Sequence, residues 1–196
     1  MADVSATQLV SAIALAIAVA ACSGLRALLP MFLTGVVIRA GWVPVAKPFD
    51  FLSTNWALLI FGIATALEIV GDKIPAVDHA LDAVHTVLRP LSGSILAAAV
   101  LSSVSDPATA AALGLVIGAP TALVPHAIKS TARVVSTVTT GGLANPLLST
   151  LEDIGVFVLF VLAIVVPVMV AAFVLIVSAL LLRRLLSRRR RTVVAA

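Results

Sequence analysis

Arg26 and Glu68 each stand inside an otherwise apolar stretch of the chain. An ionised side chain in such a place is costly, and by default it faces protein or water at a functional position. A mutual ion pair would lower the cost of both. Asp72 follows Glu68 by four residues, so on a helix the two carboxylates share a face. After Pro75, the residues Asp78, Asp82, His85 and Arg89 recur at steps of 4, 3 and 4 and form one polar stripe. In the second half, His126, Lys129 and Arg133 recur at steps of 3 and 4 as a basic stripe. Glu152 and Asp153 open the last long apolar segment, where carboxylates favourably oppose the helix dipole. They read as capping residues.

Three kinds of chemistry fit these residues. The 78–89 stripe reads as the wet face of an interfacial helix, as half of a buried ion-pair network, or as a transport or metal site. Asp72, Asp78, Asp82 and His85 offer carboxylate oxygens and one imidazole, a set suited to a hard or borderline divalent cation. No HExxH, CxxC or paired-histidine spacing supports a metal, and no Walker A or GxGxxG motif supports a nucleotide. No cofactor is required by the sequence, and no specific enzyme signature is present.

The elements that must position these groups are membrane helices. The chain is 61% hydrophobic and 11% charged, against roughly 45–50% and about 25% in an average soluble domain. Its mean hydropathy is +1.20. Tyrosine is absent and there are two tryptophans, which argues against a nucleic-acid surface. Residues 9–21 with Val19-Ala20-Ala21-Cys22 resemble a cleavable leader. However, Asp3 and the lack of any Lys or Arg before residue 26 remove the positive n-region, so a retained first helix is expected.

A span needs about 20 apolar residues. The expected pieces are Leu9–Leu29, a shorter Met31–Ala40 beginning at Pro30, a headgroup-level connection over Gly41–Asn55, and Trp56–Val70. They continue with an amphipathic Ala76–Leu88, a short apolar Leu91–Val104, Ala108–Val124 broken by Gly118 and Pro120, and an amphipathic His126–Thr140. A Gly/Asn/Pro loop over Thr139–Ser149 precedes the last span, Ile154–Leu182. At roughly 1.5 Å per residue that span is about 43 Å long, so it must tilt, kink at Pro167 or protrude. Gly24–Pro30 aligns with Ala119–Pro125, and Ser53-Thr54 with Ser149-Thr150. This faint repeat suggests related halves over about 8–90 and 105–182, their relative orientation left open. The fold expected is an all-α polytopic bundle forming one transmembrane domain, with a basic tail over 183–196.

Orientation follows from that tail. Arg183, Arg184, Arg188, Arg189, Arg190 and Arg191 directly follow the last span, and the positive-inside rule puts them in the cytoplasm of an inner (plasma) membrane. Without them the chain has seven basic residues against nine acidic. The cluster reads as a stop-transfer anchor and as a binding site for anionic lipid headgroups. The bilayer is the expected partner, with a homo-oligomer compatible with the sequence.

Several of these polar positions resemble a bacterial membrane-protein family, domain of unknown function 4126. The resemblance is carried by Ala21–Pro30, by Glu68 with Asp72-Lys73-Ile74-Pro75 and Asp78, by Arg89-Pro90 with Gly93, and by Thr140–Pro146 leading to Glu152-Asp153. It covers about residues 10–170 and implies a multi-pass membrane protein, without an activity or a catalytic residue list.

The first function expected is passage of a small solute or ion along a polar seam. That seam is Arg26, Glu68, Asp72, Asp78, Asp82 and His85 against His126, Lys129 and Arg133. The second is a non-catalytic scaffold or partner subunit in which the same residues form static ion pairs. A membrane-embedded, metal-dependent enzyme is third. A water-connected polar cavity favours passage; dry, paired charges favour the scaffold.

Overall fold

The computed structural model describes residues 4–194, and their side chains except those of 75–83, 168 and 185–194. Every regular element among them is helical: α1 (Ala6–Leu25), α2 (Leu29–Arg39), a 3-10 helix (Lys47–Ser53), α3 (Asn55–Gly71) and α4 (Pro75–Leu101). They are followed by α5 (Pro107–Leu113), a π-helical turn (Gly114–Gly118), α6 (Ala119–Thr140), α7 (Asn145–Val165) and α8 (Pro167–Val194).

Helix α1 begins at a capping box. The Gln8 N–H donates to Ser5 Oγ at 3.2 Å, and the Ser5 N–H donates to Gln8 Oε1 at 3.0 Å, which satisfies orphan donors at the helix start. From Ala12 to Gly24 most of its residues are small and buried, and α4, α6, α7 and α8 pack around it. A helix that is apolar all round belongs in the centre. Small residues let the neighbours approach closely, as is usual between membrane helices. A Cβ on Gly24 would lie 2.1 Å from the Ala122 carbonyl oxygen, and one on Gly118 would lie 2.3 Å from that of Gly93.

Prolines divide the chain less simply than their positions suggest. The ring of Pro30 would clash with the carbonyl of residue 26 in a continuous helix, and α1 does end there, with Arg26 extended at φ −135° and ψ 126°. The same conflict between Pro167 and residue 163 separates α7 from α8 at Val166. The expected span Ile154–Leu182 is therefore two helices. Pro90 behaves otherwise: α4 runs through it unbroken, because Leu96–Leu101 just beyond are locked in the core. Residues 76–88 and 91–104 consequently do not form separate helices. Pro107–Thr140 is likewise one long helix, with the π turn absorbing the strain ahead of Pro120. The expected loop over 139–149 shrinks to a turn at 141–144 with Gly141 and Gly142 at positive φ. At the aligned repeat segments the local structures differ, an extended break at Arg26 against continuous helix at Thr121.

Neighbouring side chains give each helix its direction. Val4 and Gln8 share a cavity with Trp42 and Val43, with Val100 and Val104 at the end of α4, and with Pro167. The Ala46 N–H donates to Ser102 Oγ at 2.9 Å. At the opposite end Arg26, Asp72, Lys129 and Ser149 converge, and Ser178–Arg184 of α8 lie beside Leu123–Ala132 of α6. Helices α1, α3, α5–α6 and α8 thus run one way, and α2, α4 and α7 return. Residue 4 and the end of α8 lie at opposite ends of the bundle.

Among the described residues, four helical stretches are long and apolar enough to cross a membrane: Ala6–Leu25, Val84–Leu101, Pro107–Thr140 and Asn145–Val165. The bent pair Lys47–Ser53 and Asn55–Gly71 makes a fifth if taken as one span. Outward faces carry Ile60, Leu67, Phe173 and Ile176, all more than half exposed, while Arg26, Glu68, Asp72, Arg89, Lys129 and Arg133 are buried inside. That is the reverse of a water-soluble protein, and the chain is an all-α membrane bundle.

Candidate functional site

The α1–α2 break is held by Glu68 from the last turn of α3. Its Oε1 accepts the Ala27 N–H at 3.0 Å and its Oε2 the Leu28 N–H at 3.2 Å. These are orphan donors at the start of α2, and a carboxylate is their best acceptor because the bonds are charge-assisted. Sequence reasoning expects Arg26 and Glu68 to pair with one another. The two are adjacent, but the Glu68 carboxylate is spent on backbone, and Arg26 Nη1 reaches only the Glu68 carbonyl oxygen, at 3.4 Å.

Arg26 instead pairs with Asp72, directly after α3, and with Asp153 Oδ1 of α7 at 2.6 Å. It also donates to Ser149 Oγ at 2.9 Å. Asp72 Oδ2 further accepts from Lys129 at 3.1 Å and from Arg133 at 3.2 Å, so three cations from two helical regions share one oxygen. Glu152 Oε2 bridges the same lysine and arginine at 2.9 and 3.3 Å. Lys129 also reaches the Leu25 carbonyl at the end of α1, at 3.4 Å. The result is a seam of three carboxylates against three buried cations, with Lys73 joining Asp153 at 3.3 Å from the rim. The side chains of Arg26, Asp72, Lys129 and Arg133 are 0, 1, 1 and 5% exposed.

A second arm runs from Glu68 into α4 and α6. His85 Nε2 lies 3.4 Å from Glu68 Oε1, and Arg89 stands between the Nδ1 atoms of His85, at 3.4 Å, and of His126. A guanidinium donates and cannot accept, so both Nδ1 atoms act as acceptors. His85 Nε2, the other ring nitrogen, faces the Glu68 carboxylate.

The structure thus brings together Arg26, Glu68, Asp72, His85, His126, Lys129 and Arg133. The side chains of Asp78 and Asp82 lie outside the described residues. Sequence reasoning placed Arg89 in the polar stripe but left it out of the seam, and took Glu152 and Asp153 for caps. A signal for α7 exists: Ser149, Glu152, Asp153 and Val156 fall at i, i+3, i+4 and i+7, one helical face. Ser149 lies in the core of the seam, fully buried. Among the described residues no three of His, Cys, Asp or Glu converge on a point that suits a metal ion. Asp72, ringed by three cations, is a poor cation ligand.

Break, carboxylate pair, proline-bounded α4 and the α7 carboxylates all fall inside one family match. The model described as Domain of unknown function (DUF4126) matches residues 13–187. The chain belongs to this family. The match takes in the whole seam and runs through Arg183 and Arg184, stopping before Arg188, which is further into the tail than the residue resemblance reached. No curated protein and no solved structure matches the chain.

Proposed function

We propose that the chain is a non-catalytic membrane scaffold or partner subunit in which the seam is a static charge lock. One observation carries this reading: the charges at the centre of the seam are buried and engage one another, with Asp72 Oδ2 alone committed to three cations. A solute moving through would have to displace these pairs. Buried ion pairs seldom stabilise more than well-packed apolar residues would; what they contribute on this reading is specificity. Slipping α6 by one turn against α3 or α7 would strand Lys129 and Arg133 without carboxylates. The Arg183–Arg191 cluster orients the chain with its C-terminus in the cytoplasm, and residue 4, at the other end of the bundle, toward the outer side of the inner (plasma) membrane.

A second reading, passage of a small solute or ion, draws on exposure that rises along the seam. It climbs from 0% at Arg26 to 19% at Asp153 and 39% at Lys73. The seam also lies at a helix break, as transporter sites commonly do. The test is a Ser149→Cys variant with Cys22→Ala, probed in sealed vesicles of both orientations with an impermeant thiol reagent. The scaffold reading expects no labelling from either side. Labelling of Cys at position 149 from either side sinks the lock and favours passage.

A further inference from the structure

Helices α6 and α8 both pack on α1, and between their described residues lies a cavity of about 580 Å³. We propose that this groove binds one anionic glycerophospholipid, an acyl chain lying between α6 and α8 and the phosphate against Arg184. The walls are Leu123, Ala127 and Ile128 on one side and Leu181 and Leu182 on the other. Two hydroxyls also line it, but each is satisfied by its own helix: Thr131 Oγ1 donates to the Ala127 carbonyl at 2.8 Å, and Ser178 Oγ to that of Val174 at 2.7 Å. The interior therefore offers a ligand apolar contact only. Among the described residues Arg184 is the one charged residue in the lining; it is exposed and lies in the arginine-rich end of α8. Inward-facing Lys129 and Arg133 of α6 are turned away, into the seam. An apolar slot with a cation at one mouth matches an acyl chain joined to an anion, and its volume lies within the roughly 300–1,000 Å³ of small-molecule sites.

The test uses the full-length protein, delipidated in detergent and titrated with phosphatidylglycerol or phosphatidylcholine, with bound lipid counted by intact-protein mass spectrometry. One phosphatidylglycerol should be retained in preference to phosphatidylcholine. Arg184→Gln should weaken it about fivefold, the equivalent of about 1 kcal/mol for one basic residue at the surface. Ala127→Trp, which fills the slot, should abolish retention. Thr131→Leu narrows the same slot more gently and should lower retention even where the tryptophan variant fails to fold. Retention unchanged by both groove variants would overturn the proposal, whether or not Arg184→Gln weakens binding. So would a wild-type dimer that Ala127→Trp converts to monomer with lipid retention unchanged, since a second copy would then occupy the groove.

Discussion

Replacing Asp72 with Asn keeps its shape and removes the charge that three cations share. Coulomb's law at an effective dielectric of about 20 gives roughly 5 kcal/mol for each of the 3.1 and 3.2 Å contacts to Lys129 and Arg133. Most of that attraction offsets the cost of taking the ions out of solvent. What a one-sided deletion exposes is the uncompensated remainder, about 3–5 kcal/mol for a buried pair. Glu152 still contacts Lys129 and Arg133, and Asp153 still contacts Arg26, so the lower end of that range is expected. Thermal unfolding of the purified protein in detergent should show a Tm lowered by roughly 6–12 °C, at 2–4 °C per kcal/mol for a chain of this size. Adding Lys129→Met to Asp72→Asn should recover part of the loss, because it removes one of the stranded cations. An Asp72→Asn protein as stable as the parent, or a double variant whose losses simply add, would refute the charge lock.

In a double-mutant cycle, Arg26 should couple to Asp72 more strongly than to Glu68, because only Asp72 shares a direct ion pair with it; equal coupling would contradict the geometry. Glu68→Ala should cost about 1–3 kcal/mol by leaving the Ala27 and Leu28 N–H groups buried without an acceptor, read by the same melts. Gly24→Ala should destabilise by about 1–3 kcal/mol through its clash with the Ala122 carbonyl. Gly155→Ala, which meets nothing within 4 Å, should be neutral or stabilise by up to about 1 kcal/mol. In a Cys22→Ala background, Ser5→Cys should label from outside intact cells and Ala195→Cys should not; the opposite pattern would invert the topology.

The sequence by itself determined the solvent and the class of fold. Composition demands a bilayer, and the apolar runs are long enough to be its helices. It also marked the groups that end up together: Arg26, Glu68 and Asp72 stand out because a charge among apolar neighbours is costly wherever the chain goes. Lys129 and Arg133 stand out by helical spacing alone. Which of them pair was not legible, since pairing depends on how helices distant in sequence are set side by side. Arg26 reaches Asp72 and Asp153 rather than the Glu68 carboxylate because the break at Pro30 leaves two backbone N–H groups closer to that carboxylate than the guanidinium is. Proline positions were visible, but their effects were decided by tertiary packing. Pro30 and Pro167 fall where the chain can turn, whereas Pro90 lies in a helix whose far end is clamped in the core, so there the loss of one hydrogen bond does not end the helix. The reversal at Val166 follows the same logic, turning one overlong apolar run into two helices that both pack against α1.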